Sequence, residues 1–204
     1  MTREVLIDAA VSLTEERGLS DWTTRELAAS LDTSLSVVAH HVGDRSELSA
    51  AVVDRVSQRI AVPPQIDSWQ EWLRELLIEI RSVFVQYPGV AQWALVHGPV
   101  TPAIAPILER AVSVLLDAGF GDNAARAYTV VFTTCMSHIA IGDSRSAVGR
   151  DHRSIRQQMP ADRGPGLDAV ADLIDSMSEP GGITRHYIYA LDCLLGGIDA
   201  TRSR

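Results

Sequence analysis

Lysine is missing altogether: all eighteen cationic side chains among the 204 residues are arginine. Where they meet oxyanions, their planar forks favour bidentate contacts, although a GC-rich coding background accounts for the absence of lysine more simply. Cysteine occurs twice, as Cys135 and Cys193, both in apolar stretches. That excludes a disulfide framework and leads us to expect two buried thiols in a reducing compartment. No apolar run reaches the roughly eighteen residues needed to span a bilayer, so no membrane is expected as a partner. The opening MTREVLIDAA mixes acids into its apolar residues, unlike a secretory leader, and the expected location is cytoplasmic. Positive charge is also short. The net charge of −8 argues against a nonspecific coat on nucleic acid. Residues 1–62 carry six arginines against ten acids, a local net of −4, so any DNA contact must be focused on one face. The catalytic fingerprints G-x-S-x-G and H-E-x-x-H, the P-loop and the dinucleotide glycines are all absent, so neither an enzyme nor a cofactor is expected. Cys135-x-x-His138 puts two ligand types on one helical face, but no second pair accompanies it, and no metal site is expected.

What is present is ordinary globular composition, 46% hydrophobic and 22% charged, enough to bury a core without staples. The periodicity is helical almost throughout. Leu6, Ala9, Ala10 and Leu13 share a face of a first helix that Gly18 ends. Thr23 and Glu26 form a capping box before a short helix carrying Leu27, Ala28 and Leu31. Asp32-Thr33 interrupts it. A third helix runs from about Ser34 to Val42. Asp44 and Glu47 cap a fourth, carrying Leu48, Val52, Val56 and Ile60 until Pro63-Pro64 stops it. Further helices are expected from Ser68 to Pro88, over 89–97, from Thr101 to Gly119, and over 122–142, 167–178 and 183–201. The arginine-bearing stretch 143–166 reads as an exposed loop. The expected fold is therefore all-α, with nine or ten helices. An N-terminal helix-turn-helix domain, 1–62, precedes a helical effector-binding and dimerisation domain, 63–204.

Two short helices joined by a tight turn and propped by a longer one form a helix-turn-helix, whose second helix must offer a polar stripe to the major groove. With Val38, His41 and Val42 inward, Leu35, Ser36, Ala39 and His40 face out together. From Val5 to Val53 the chain resembles the DNA-binding domain of the TetR family. The carrying residues are Gly18, Thr23-Thr24, Leu27-Ala28, Leu31, Ser34, His41-Val42, and Arg45 with Leu48. Trp69-Gln70-Glu71, Ala118-Gly119-Phe120 and the segment from Leu191 to Ile198 resemble the subgroup with a tetracycline-repressor-like C-terminal domain. The resemblance implies phosphate contacts from Thr24, Arg25 and Arg45 near helix N-termini. It places Ser34, Ser36, Ala39 and His40 on the groove-facing side. Each has a plainer alternative, such as Thr23 as a cap, Arg25 as a solvated charge, or His41 as a packed residue. The sequence also departs from the family pattern. Ala39 stands where a backbone-contacting tyrosine is usual, Asp32-Thr33 where Gly-Val is usual, and Arg45 where a lysine opens the fourth helix.

For the second domain, the resemblance implies a small-molecule effector pocket, with Trp72, Trp93, His97, Tyr128, Phe132, Met136 and His138 as candidate lining. Core packing is the alternative for any one of them. Such a lining, aromatic and poor in charge, calls for a largely apolar effector. In the subgroup, a histidine ahead of the helix near Thr101 holds the drug's magnesium. Leu95 takes that place here, with His97 two residues away, so a magnesium–tetracycline effector is not expected. The helices 122–142 and 183–201 are apolar over much of their circumference, and the family implies a four-helix homodimer interface there. Leu191 and Leu195 are the residues expected to serve it. The functional expectation is a dimeric repressor that binds a double-stranded operator and is released from it by its effector. The alternative is a helical ligand- or protein-binding module that keeps the fold but has lost operator recognition.

Overall fold

The computed structural model describes residues 1–65, 67–98, 101–149 and 152–202. Among them are eleven α-helices, a single 3-10 turn at Gly121–Asn123 and no strand. The architecture is all-α as expected, with one helix more than the upper count.

The first four helices build the N-terminal unit: α1 (Arg3–Arg17), α2 (Thr24–Ser30), α3 (Leu35–Val42) and α4 (Arg45–Ser57). Both capping boxes form. The Thr23 hydroxyl accepts from Glu26 N–H while the Glu26 carboxylate accepts from Thr23 N–H at 2.7 Å. Asp44 and Glu47 do the same for α4, satisfying donors that an uncapped helix leaves orphaned. The Thr23 hydroxyl, then Arg17, holds the Glu26 carboxyl down to about 2, so the box stays charged well into acid. Leu6, Ala10, Leu27, Val38, Leu48 and Val52 interlock as the core of this unit. α4 ends at Ser57, short of Pro63-Pro64. Tighter turns carry the chain on to a buried Ile60, with Ile60 N–H donating to the Ser57 carbonyl.

The larger unit comprises α5 (Trp69–Phe84), α6 (Val90–His97), α7 (Ala105–Asp117), α8 (Ala124–Ala147), α9 (His152–Gln157), α10 (Pro165–Ser178) and α11 (Gly182–Asp199). α8 is the hub, packing on α5, α6, α7 and α11. The stretch 143–166 is not simply a loop. α8 continues through Ser144-Arg145-Ser146-Ala147, residues that helices accept, and Gly149 at φ 63° follows its end. α9 lies within the same stretch, which α10 closes from Pro165. Its arginines are partly committed: Arg156 pairs with Asp175 at 3.1 Å and Arg163 with Asp168 at 3.1 Å. Arg150 lies outside the described residues. α10 and α11 meet so closely that a Cβ on Gly182 would stand 2.0 Å from the Ser176 carbonyl oxygen, so only glycine fits this corner. No helix among the described residues is long and apolar enough to cross a membrane.

The two units touch through specific hydrogen bonds. Leu19 N–H donates to the Pro88 carbonyl at 2.7 Å, and Ala103 N–H donates to the Asp54 carboxylate on α4 at 2.8 Å. α4 also packs against α5 and α6. These bonds and contacts tie the larger unit to α4 and to the α1–α2 corner.

Candidate nucleic-acid interface and effector cavity

The turn between α2 and α3 has a defined form. Thr33 N–H donates to the Ala28 carbonyl at 3.0 Å and Asp32 N–H to the Ala29 carbonyl at 3.2 Å. This is the Schellman pattern, which needs a left-handed residue at the position Asp32 occupies, and Asp32 has φ 47°. A left-handed residue other than glycine is strained by about 1–2 kcal/mol, with aspartate among the more tolerant. The family's usual glycine at this place has the same explanation. Asp32→Gly is therefore expected to raise unfolding stability by about 0.5–1 kcal/mol, once glycine's own entropy is set against the relieved strain. A urea titration measures it, and a less stable variant would contradict the account.

α3 presents the expected stripe. Val38 and Val42 are buried, Val37 and His41 half-buried, and Leu35, Ser36, Ala39 and His40 exposed. Ser34 caps the helix by accepting from Val37 N–H at 3.3 Å, and its hydroxyl meets that of Ser36 at 2.8 Å. Both serines are therefore exposed but locally engaged. Thr24 sits half-buried at the first position of α2, and Arg25 beside it is exposed with no ion pair among the described residues.

Arg45 is placed differently from a freely reaching cation. Its guanidinium lies 3.6 Å from the centroid of the Trp22 ring, and Nη2 donates to the Leu19 carbonyl. Nη1 is buried without a hydrogen-bond partner among the described residues. Burial lowers the guanidinium pKa from its ordinary value. Arg45 thus ties the start of α4 to the α1–α2 corner. The sequence reading missed Trp22, whose only local signal is a large aromatic just before a cap.

Most of the proposed effector lining is solid core. Trp72, Tyr128, Phe132 and Met136 are buried. Trp72 donates its indole N–H to the Pro63 carbonyl, and Tyr128 stacks on Phe132 at 5.8 Å. Trp93 and His97 stack on each other at 4.4 Å at the surface, with His97 exposed. Of the seven candidates, His138 alone lines the cavity of about 440 Å³ enclosed by α5, α8, α9, α10 and α11. The wall of this cavity combines apolar residues with more charge than the sequence expectation gave an effector pocket. Arg81, Asp143, Arg145, His152 and His186 share the wall with Val85, Ile139, Ile141, Met177 and Ile183. Trp72, Tyr128 and Phe132 face inward, as their periodicity requires, but they pack in the core and do not border this cavity.

The sequence of the larger unit matches the family model of the tetracyclin repressor-like C-terminal domain over residues 63–202, most of the chain. The chain belongs to the TetR family. Its N-terminal unit is the helix-turn-helix described above, and its members are transcriptional regulators. The class D tetracycline repressor protein of Escherichia coli is 31% identical over 90 residues, 43% of this chain. That alignment spans only 41% of the repressor's own length. A possible TetR family transcriptional regulator from Streptomyces coelicolor A3(2) superposes with a TM-score of 0.85 at 25% identity, covering 98% of this chain and 100% of that one. The TetR family protein ActR of Streptomyces coelicolor, solved in complex with actinorhodin, shares the fold at a TM-score of 0.78 and 23% identity, covering 100% and 99%.

Proposed function

We propose that this TetR-family chain is a dimeric repressor. Its α3 helices enter successive major grooves of a double-stranded operator, and a small molecule held in the larger unit releases it. The observation that carries this reading is the combination at one surface. A Schellman turn joins α2 to α3, α3 exposes Leu35, Ser36, Ala39 and His40, and Arg25 at the start of α2 is exposed with no ion pair among the described residues. Ser34, Thr24 and the backbone N–H groups of α2 complete a surface suited to phosphates. The hydrogen bonds from Leu19 to Pro88 and from Ala103 to Asp54 give ligand occupancy a route to the reading heads. The domains 1–62 and 63–204 divide these tasks. In this scheme Arg45 acts by bracing the head, with Trp22 and Leu19 as its partners, and its release toward a phosphate would require breaking that stack.

Selection of bound sequences from random DNA, followed by affinity measurements over a range of salt, tests the reading. Arg25→Ala should weaken binding to operator and unrelated DNA by similar factors and reduce the salt slope by about one unit, the signature of one lost phosphate contact. Ala39→Tyr should leave binding intact or strengthen it, since it restores a side chain that the family directs at the backbone. Absence of salt-dependent binding to any selected sequence would favour a helical binding module that has lost operator recognition.

A further inference from the structure

We propose that the cavity between α5, α8 and α11 seats the acidic group of an amphiphilic effector, an oxyanion such as a carboxylate carried on an apolar body, against Arg81 and the His138–His186 pair. This rests on the reading of the chain as an effector-responsive regulator and gives that effector a chemical class.

The charge distribution is the first argument. In a chain of net charge −8, the described residues of this one wall gather two arginines and three histidines against a single carboxylate among them, Asp143. Arg81 is half-buried and makes no ion pair among the described residues. Its nearest aromatic neighbour is the Tyr187 ring, 5.2 Å from Cζ. A guanidinium withdrawn from water and facing a cavity without a counter-ion leaves donor capacity for a planar oxyanion. Asp143 makes no ion pair with Arg81 among the described residues; its Oδ2 accepts the Gly89 N–H at 3.0 Å. Arg145 is turned toward His152, with Nη1 3.4 Å from Nε2.

The second argument is the histidine pair. The His138 and His186 rings stand 5.7 Å apart, on α8 and α11, and both line the cavity. Burial and the neighbouring imidazole lower the His138 pKa, so an empty cavity disfavours protonation there. An oxyanion between the rings reverses that balance and brings a proton with it, so binding strengthens as pH falls through the histidine range. Arg81 and Tyr187, whose hydroxyl burial pushes well above its ordinary value, keep one protonation state across that range; Arg145, His152 and Asp143, whose carboxyl burial raises, are the other ionisable groups on the wall. Val85, Ile139, Ile141, Met177 and Ile183 provide the apolar berth for the ligand body.

Occupancy also has a route out. Asp143 holds Gly89 at the left-handed N-cap of α6, and the adjacent Pro88 carbonyl holds Leu19 of the reading head. A ligand that displaces Asp143 therefore acts two hydrogen bonds away from the DNA-binding unit.

The test uses the full-length protein with two probes of the same body, 1-naphthaleneacetate and its neutral amide 1-naphthaleneacetamide, titrated calorimetrically. The acid should bind about tenfold or more tightly than the amide, the increment expected of charge-assisted hydrogen bonds. It should bind more tightly near about pH 6 than near about pH 8, where a histidine has lost its proton. Arg81→Gln should abolish the preference for the acid while leaving amide binding unchanged, and Arg81→Lys should restore part of it, which also controls for misfolding. His138→Gln should flatten the pH dependence. Equal affinity for acid and amide, binding of neither, or an acid preference that survives Arg81→Gln would overturn the proposal. If the acid binds as described but operator affinity does not change on occupancy, the ligand class stands and the effector role falls.

Discussion

Trp22→Ala is expected to destabilise the N-terminal unit by about 3–5 kcal/mol and to abolish operator binding. Trp22 is 2% exposed. Its indole N–H donates to the Thr14 hydroxyl at 3.1 Å, and that hydroxyl in turn donates to the Ala10 carbonyl inside α1 at 2.8 Å. On the other side of the ring lies the Arg45 guanidinium that opens α4. One side chain therefore fixes the distance between α1, the start of α2 and the start of α4. Truncation leaves a cavity, an unpartnered buried acceptor on Thr14, and a cation with nothing beneath it. Trp22→Phe separates these effects: it keeps much of the packing and an aromatic face for Arg45 but loses the hydrogen bond, for a loss of about 1 kcal/mol. Urea unfolding followed by circular dichroism, with operator binding measured on the same samples, distinguishes the variants. A Trp22→Ala protein of near-native stability that still binds its operator would show that Arg45 and α4 are braced by something else.

The parts of this molecule that could be read in advance are those fixed within about one helical turn. Thr23 with Glu26 and Asp44 with Glu47 are local by construction, and both boxes form. The outward stripe Leu35, Ser36, Ala39 and His40 follows from helical period once Val38 and Val42 are assigned inward, and it is exposed. Arg45 is different, because its partner Trp22 lies twenty-three residues away and is reached only through the packing of α1 against α4. Periodicity marked Trp72, Phe132 and Met136 as inward without showing whether the interior between them is filled or hollow. Those residues fill it, and the hollow lies beside them among side chains that look solvent-facing in sequence, Arg81 and Arg145 among them. Cys135 on α8 is buried as expected, but Cys193 on α11 is exposed, which corrects the expectation of two buried thiols: α11 carries apolar residues on its outer face as well as its inner one.

That division of α11 corrects the choice of Leu191 and Leu195 as interface residues, since both are buried against the chain's own core. Leu191 is 1% exposed, and Leu191→Asp is expected to unfold the protein, not to separate subunits. The face left for a partner is elsewhere. α8 exposes Val130, at 50%, while α11 exposes Tyr189, at 68%, followed by Cys193, Gly196 and Gly197 on successive turns. A Cβ on either glycine would meet nothing within 4 Å, so the surface there is open and smooth enough for a second helix to approach. Two copies of this α8–α11 face, related by a two-fold axis, make the proposed four-helix interface. Val130→Asp combined with Tyr189→Asp places a carboxylate on each helix where the partner would bury it, but leaves the monomer core untouched. The double variant should keep the wild-type helical signal and sediment as a monomer at micromolar concentration. Its operator affinity should fall by about 100-fold or more, because the second half-site is no longer engaged at the high effective concentration a dimer provides. Binding to an isolated half-site should be unchanged, which separates loss of assembly from damage to the reading head. A double variant that remains dimeric would place the interface on another exposed apolar face, such as Leu167, Val170 and Leu173 of α10. A wild-type protein that sediments as a monomer would remove the symmetric two-groove reading altogether.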